Sequence, residues 1–417
     1  EPPSIQAVSV YIYVGCICRS SISRSLPSPS SLFSAPIDPM AFTCKRPAAS
    51  LDGHASQKRR RVIGTTYDYD QESCLSRGKF GAVVKARCRA TGQLVAIKSL
   101  HDPADPREVL REARFLEACG GHPHIVGFRG VTLDYVTDEL CLVMDYVEGK
   151  SLKVLLSERG GGLPEATVCT FMWQLLTAAK KMHRCHVVHR DINPANILVG
   201  GEEAGRGFVK ICDLGVAMSM SEAPPYEEEA GMGEYRAPEM LLGKEDYDAL
   251  VDTWSLGCVM AEMLTGKRIF RAAEFISLFQ RIFEVVGVPD DTTWPGFTSL
   301  PHAAPPPLVP GQQSTLRDLF PEETLSAEGF QVLNGLLTCN PDKRLTAAAT
   351  LKLPWFATAA ANAHPSAPTT AAKIDRMAGS IKEEVVEFAP LMPPRERVTA
   401  KKTLIRKKAP LVVPPAT

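Results

Sequence analysis

The sequence predicts an α+β fold over residues 67–356, with strands concentrated in its first part and helices in its second. The stretch Leu75–Lys85 combines two glycines with β-branched residues, and the strand-like Leu94–Lys98 follows it. Another strand is predicted at Leu140–Val147. Helices are predicted at Arg107–Cys119 and at Ala166–Arg184.

The composition of the chain is that of an ordinary globular protein. Of its 417 residues, 45% are hydrophobic and 23% are charged, and 47 basic residues balance 47 acidic ones. This balance predicts no nucleic-acid partner. No run approaches the ~20 apolar residues of a membrane-spanning helix, so no membrane association is expected. The 12 cysteines lack paired spacing, which indicates reduced, intracellular thiols.

The two ends of the chain differ from its middle in charge and composition. Residues 1–66 and 357–417 each carry a net charge of +5, which leaves −10 on residues 67–356. The first segment is rich in Ser and Pro and the second is of low complexity, so both are predicted to be disordered and basic. We therefore expect the folded domain at 67–356.

Two features of the N-terminal extension have alternative interpretations. The basic run Lys58–Arg61 is either a nuclear-import signal or a solvated charge run. Residues 1–39 precede the first methionine, Met40, and are either a targeting peptide or an upstream stretch outside the mature protein. The expected location is the nucleus, the cytoplasm or both.

The glycines of the first hairpin are the earliest indication of chemistry. Gly78 and Gly81 would let the backbone approach phosphate oxygens, because no Cβ intervenes. An ordinary hairpin turn explains the same pair of glycines. The blocks that follow favour the phosphate-binding interpretation: Val95–Lys98, Val188–Val199, Cys212–Gly215, Ala237–Glu239, Asp252–Gly257 and Asn340–Arg344.

In these blocks, in order and spacing, the chain resembles the eukaryotic protein-kinase family across about 290 residues. Tyr235-Arg236 before Ala237–Glu239, Val109–Glu112 and Gln280–Trp294 resemble the cyclin-dependent kinase branch, including its F-type plant members. The resemblance implies a bilobal protein-kinase fold. It would have a β-rich N-lobe at 67–147 and a mainly helical C-lobe at 148–356.

The resemblance also implies the site residues. The catalytic group would comprise Asp191 as proton acceptor, Lys98 on the α/β-phosphates and Glu112 as its ion-pair partner. Asn196 and Asp213 would hold Mg²⁺, which prefers hard oxygen ligands. ATP, the cofactor, would contact Leu75, Ser76, Arg77, Gly78, Lys79, Phe80, Gly81, Ala82, Val83, Ala96, Lys98, Met144, Asp145, Val147 and Leu198.

Some of these positions depart from the family pattern in the phosphate loop. Ser76 stands where the first glycine is usual, which predicts modestly weaker nucleotide binding. Lys79-Phe80 replaces the Thr-Tyr pair that carries inhibitory phosphates in cyclin-dependent kinases. Because neither side chain has a hydroxyl, that inhibition is expected to be absent.

A second departure lies at the catalytic loop. Asn193 replaces the lysine that the family places near the γ-phosphate, and Met232 replaces a threonine that bonds this lysine and Asp191. Loss of one such donor can cost about 2.7–4 kcal/mol of transition-state stabilisation. The paired replacement indicates a slow or inactive enzyme.

A third departure concerns the activation segment. Glu227 occupies the position of the phosphorylated threonine, and Arg190 and Arg111 remain in its pocket while Met218 replaces a third arginine. A glutamate carries −1 rather than the −1.5 to −2 of a phosphothreonine. We therefore predict a segment that is ordered without phosphorylation; the alternative is a solvated acidic loop.

The predicted function is γ-phosphoryl transfer from ATP to Ser or Thr hydroxyls of a protein substrate by a monomer. Cyclin dependence is doubtful, because Pro103–Glu112 retains only the last two positions of the family's cyclin-binding helix well. A preference for Pro after the target residue is implied only by the family, since Ala230-Gly231 replaces a bulkier pair. The alternative function is a pseudokinase that acts as a nucleotide-binding scaffold.

Overall fold

The computed structural model describes residues 64–78, 81–100, 106–201, 207–226, 230–271, 275–303, 312–357 and 359. Predictions on Lys58–Arg61, Lys79-Phe80, Glu227 and the C-terminal tail therefore lie outside the described residues. The strands are β1 (Gly64–Thr65), β2 (Tyr69–Gly78), β3 (Gly81–Cys88), β4 (Leu94–Ser99), β5 (Phe128–Leu133), β6 (Leu140–Asp145), β7 (Gly149–Ser151), β8 (Val187–Val188), β9 (Ile197–Gly200), β10 (Phe208–Ile211) and β11 (Met218–Ser219).

The helices of the described part, apart from the first, all follow strand β7. They are α1 (Pro106–Ala118), α2 (Leu152–Arg159), α3 (Glu165–Arg184), α4 (Pro238–Leu241), α5 (Leu250–Thr265), α6 (Phe275–Val286), α7 (Leu316–Leu319), α8 (Ala327–Leu336) and α9 (Ala347–Thr350). No helix among the described residues is both long and apolar enough to cross a membrane.

A six-stranded sheet forms the N-lobe, in the order β1-β5-β6-β4-β3-β2. All its neighbours are antiparallel except β1, which runs parallel to β5 with Gly64 opposite Thr132. Thr66, just beyond β1, is buried, and its hydroxyl accepts a hydrogen bond from the Tyr135 amide. The folded part thus begins by Gly64 rather than at residue 67, because two residues of the basic extension complete the edge of the sheet.

Helix α1 packs against this sheet through one face. Its buried residues, Val109, Glu112, Ala113, Phe115 and Leu116, recur at helical spacing. This stripe joins a core that continues into the C-lobe, so the sheet and the helical region share buried apolar surface. A smaller cluster, which includes Val95, Ile97 and Val143, forms a second core in the sheet.

The C-lobe is built around α5, in which nearly every residue is buried. Gly257 allows this packing, since a Cβ there would lie 2.8 Å from the Leu337 side chain. The buried Arg344 makes two bonds to the Glu239 carboxylate, at 2.6 and 2.7 Å, and links α4 to the C-terminal part of the lobe. Gly257 and Arg344 thus help to hold the C-lobe together.

Candidate active site

The strands β3, β4 and β6 bring the predicted nucleotide-binding residues of the N-lobe side by side. Val83 is paired with Lys98, and Ala96 with Met144. Gly78 faces Gly81 across the end of the β2–β3 hairpin. A glycine is required at Gly81, because φ is +141° and a Cβ would lie 2.0 Å from the Ser99 carbonyl oxygen.

The first part of the phosphate loop lies on strand β2. Ser76 is paired with Val83, and Arg77 with Ala82, after a register shift between Cys74 and Ser76. The serine at this position therefore forms part of an irregular but continuous hairpin. Leu75, which should cover the nucleotide, is 45% exposed.

Lys98 is the buried cation at the centre of the site. Its Nζ lies 2.9 Å from both carboxylate oxygens of Glu112 and 2.8 Å from Oδ1 of Asp213. The expected pair of Lys98 and Glu112 is therefore formed. Since Glu112 belongs to α1 and Asp213 follows β10, one ammonium group connects the N-lobe helix to the C-lobe.

The charges of this triad support one another. Burial opposes the ammonium form, but Glu112 and Asp213 hold the pKa of Lys98 above its ordinary value. Burial likewise opposes the Asp213 carboxylate, yet Lys98 keeps the pKa of Asp213 below its ordinary value. Burial raises the pKa of Glu112, and the attraction of Lys98 offsets only part of this effect.

Between the lobes, the hinge offers free backbone groups. The Asp145 amide donates to the Gly127 carbonyl at 2.8 Å, and the Asp145 carboxylate forms an ion pair with Arg129. Among the described residues, neither backbone group of Val147 has a hydrogen-bond partner. Val147 is thus a hinge residue that could offer both a donor and an acceptor to a purine edge, whereas the Asp145 amide and side chain are already engaged.

A cleft of about 710 Å³ also touches the hinge, but it is a different site. It shares Asp145 and Val147 with the predicted nucleotide contacts and is otherwise lined by residues such as Arg129, Lys150 and Phe208. Ala96, Lys98 and Leu198 do not line it.

The buried carboxylate of Asp252 holds the catalytic loop in place. Asp252 accepts the amides of His189 and Arg190, each at 2.9 Å, and Nε2 of His183 at 2.9 Å. His189 is fully buried, and its Nε2 lies 3.1 Å from the Cys212 carbonyl oxygen. His189 therefore has a structural role and ties the loop to the segment that carries Asp213.

The Asp191 carboxylate is surrounded by neutral donors. Oδ1 accepts Nδ2 of Asn193 at 3.0 Å and the Met232 amide at 2.8 Å. Oδ2 accepts Nδ2 of Asn196 at 2.8 Å. The inward orientation of Asn193, which is 2% exposed, could not be read from the sequence.

Asn196 and Asp213 lie on adjoining pieces of backbone, as a shared metal would require. The Cys212 amide donates to the Asn196 carbonyl at 3.0 Å, and Asp213 adopts a φ of +64° directly after it. Among the described residues, no three His, Cys, Asp or Glu side chains form a metal cage of their own. Two hard oxygen side chains fit Mg²⁺ that is completed by phosphate oxygens and water.

The activation segment is anchored by two arginines through its carbonyl groups. Arg190 donates to the Val216 carbonyl at 2.7 Å and to the Tyr247 hydroxyl at 3.0 Å. Arg111 donates to the Ala217 carbonyl at 2.6 Å. Met218 is buried in strand β11, where it pairs with Val188. These contacts were not predicted, because sequence spacing indicated only a pocket for residue 227.

Comparison with known proteins identifies the class. Residues 69–356 match the family model described as "Protein kinase domain", so the chain belongs to the protein-kinase family. It is a protein serine/threonine kinase of the cyclin-dependent kinase type.

Curated relatives match about 70% of this chain. "Putative cyclin-dependent kinase F-2" of Oryza sativa subsp. japonica is 44% identical over 306 residues, covering 69% of this chain and 90% of that protein. "Cell division control protein 2 homolog 3" of Trypanosoma brucei brucei is 36% identical over 308 residues, and the match covers 92% of that protein. "Cyclin-dependent kinase G1" of Arabidopsis thaliana is 35% identical, but the match spans only 49% of its length.

Proposed function

We propose that the protein transfers the γ-phosphoryl group of ATP to protein Ser or Thr hydroxyls without phosphorylation of its activation segment. The observation that supports this most is the contact of Lys98 with both Glu112 and Asp213, at 2.8–2.9 Å. In kinases, the lysine–glutamate pair and the metal-binding aspartate must both be in place for turnover. Here one buried cation connects the two.

Each group of the site then has a physical task. Lys98 would hold the α/β-phosphates, and Val147 would bond the adenine edge. Mg²⁺, held by Asn196 and Asp213, would neutralise the developing phosphate charge. Asp191 would orient the substrate hydroxyl and take its proton.

A scaffold without turnover is the second candidate, and Asn193 is the observation that favours it. Asp191 has three neutral donors and, among the described residues, no cation in contact. The transferring phosphoryl group would therefore lack the cation that the family places beside it. This difference predicts a slow chemical step, while the nucleotide contacts remain.

Radiolabelled ATP assays on the full chain distinguish the two candidates. We expect Mg²⁺-dependent phosphorylation of a generic protein substrate above that of Asp191→Asn, and no loss of turnover after phosphatase treatment. Nucleotide binding by both proteins with equal, background turnover would establish the scaffold instead. A large loss after phosphatase treatment would contradict the phosphorylation-independent part alone.

We also propose a preference for proline after the target residue, from the loop beside Asp191. Gly231 has φ +77°, and a Cβ there would lie 2.1 Å from the Arg190 carbonyl oxygen. Arg236 donates to the carbonyls of Ala230, at 3.0 Å, and Gly231, at 2.9 Å. Each of these carbonyls thus already accepts a charged donor, and a substrate N–H placed there would exchange its hydrogen bond to water for a weaker one. Proline has no N–H to lose.

The measurement is kcat/KM for two peptides that differ only in Pro or Ala after the acceptor. An unsatisfied N–H costs about 1–3 kcal/mol, so we expect a preference for Pro of roughly 5-fold or more. Equal values for the two peptides would show that the incoming N–H finds another acceptor.

Cyclin is proposed to be dispensable, because Arg111 links α1 directly to the activation segment. A stoichiometric cyclin that co-purifies with the native protein, and is needed for turnover, would contradict this. Localisation in the nucleus, the cytoplasm or both stays a prediction.

A further inference from the structure

Both the nitrogen and the oxygen of the Asn193 side-chain amide make hydrogen bonds. Its Nδ2 donates to Oδ1 of Asp191 at 3.0 Å and to the Asp191 carbonyl at 3.1 Å. Its Oδ1 accepts the Ala195 amide at 2.9 Å, and so caps the 3₁₀ turn Pro194–Asn196. An amide of this length can do so because its donor and its acceptor are two separate atoms.

The capped turn contains Asn196, whose side chain bonds the same Asp191 carboxylate. Nδ2 of Asn196 donates to Oδ2 of Asp191 at 2.8 Å and to the Asp191 carbonyl at 3.0 Å. Asp191, Asn193 and Asn196 therefore form a closed ring of hydrogen bonds within one short loop. A lysine at 193 could not close it, because an ammonium group has no acceptor for the Ala195 amide.

The ring makes the two oxygens of Asp191 unequal. Oδ1 already accepts two hydrogen bonds, from Asn193 and from the Met232 amide, whereas Oδ2 accepts one. A carboxylate oxygen has about two lone-pair sites. Only Oδ2 therefore keeps an acceptor site within the described surroundings.

We propose that Asn193 is a positioning residue that saturates Oδ1 of Asp191 and so directs the substrate hydroxyl, and its proton, to Oδ2. This proposal rests on the proposed kinase function. In the transfer, the hydroxyl oxygen forms the bond to phosphorus, the bond from phosphorus to the ADP oxygen breaks, and the proton passes to Oδ2.

The test uses two substitutions that keep the cap but change the donor. Asn193→Asp has nearly the same shape and still accepts the Ala195 amide, but it replaces the donor to Oδ1 of Asp191 with an acceptor. We expect kcat to fall by about 10-fold or more while KM for ATP stays within about 2-fold of the wild type. Asn193→Ser keeps an acceptor for the cap but cannot replace the donor to Oδ1, and kcat should fall about 10-fold.

A role in the fold of the loop alone would raise KM for ATP or lower the thermal stability together with any loss of kcat. A wild-type kcat in a folded Asn193→Asp protein would overturn the proposal. The wild type is compared in parallel with Asp191→Asn, so that a lack of turnover in the wild type would count against the kinase function and not against Asn193.

A second readout needs no turnover. Hydrogen exchange of the Ala195 amide should stay like that of the wild type in both variants, because both keep an acceptor for it. Faster exchange there together with a lower kcat would show that Asn193 acts by holding the loop, and would contradict a role on Oδ1 of Asp191.

Discussion

At the scale of single residues, the catalytic loop shows how one substitution changes the requirements on its neighbours. Asn193 fits because it is 2% exposed and bonds within its own loop. Met232 contributes its amide to Asp191, and its side chain is 40% exposed. The two positions therefore share Oδ1 of Asp191 and should not behave independently.

This coupling predicts a non-additive pair of substitutions. Asn193→Lys alone should reduce kcat, because it removes the cap on Ala195 and buries an ammonium group beside a side chain without a hydroxyl. Combined with Met232→Thr, the lysine gains a hydroxyl partner beside the Asp191 carboxylate, and kcat should exceed that of the single lysine variant by about 10-fold or more. The measurement is a complete double-mutant cycle of kcat, with Met232→Thr as the control. Strictly additive effects would contradict the coupling.

At the scale of elements, arginine side chains hold the activation segment to α1 and to the catalytic loop. They donate to backbone carbonyls of the segment rather than to a phosphate. Arg111 reaches the Ala217 carbonyl, and its guanidinium lies 5.9 Å from the Phe115 ring centre. Arg190 reaches the neighbouring Val216 carbonyl from the catalytic loop. A hydrogen bond from a charged donor contributes about 1.5–3 kcal/mol, so the two contacts can hold this part of the segment.

Arg111→Met should therefore lower kcat by about 10-fold and increase hydrogen exchange of the segment after residue 215. Arg114→Met is the matched control, because Arg114 is an exposed arginine on the same helix with no ion pair among the described residues. Both effects should be absent in the control. Unchanged exchange in Arg111→Met would show that other contacts order the segment.

The sequence predicted the elements better than the contacts between them. Helix α3 was expected at 166–184 and spans Glu165–Arg184, because its apolar periodicity is long and regular. The pair of Lys98 and Glu112 was also predictable, since motif spacing identifies both residues. The amide orientation of Asn193 and the carbonyl partners of Arg111 were not, because both depend on the tertiary path of the loop and segment. Strand β1 was missed because two residues carry no periodic pattern.

At the scale of the whole molecule, buried ionic groups connect the catalytic loop to the helical core. Asp252 lies in α5, is 0% exposed and accepts three hydrogen bonds from the catalytic loop and from α3. Burial opposes its charge, but the bond from His183 and the nearby donors hold the pKa of Asp252 below its ordinary value. The global stability of the chain should therefore depend on the charge of this one carboxylate.

The sign of that dependence follows from the direction of the pKa shift. A carboxyl group whose pKa is lower in the folded state stabilises the fold above its ordinary value of 3.8, and this contribution is lost as pH falls through the folded-state value. Asp252→Asn should thus cost about 3 kcal/mol in the free energy of unfolding at pH 7, because its amide NH₂ would face backbone donors. The difference from the wild type should shrink below about pH 4. Urea unfolding at pH 7, 5, 4 and 3 measures this, with the exposed Asp138→Asn as a control that should follow the wild type throughout. A difference that stays constant down to pH 3 would mean that Asp252 stabilises the protein by shape rather than by charge.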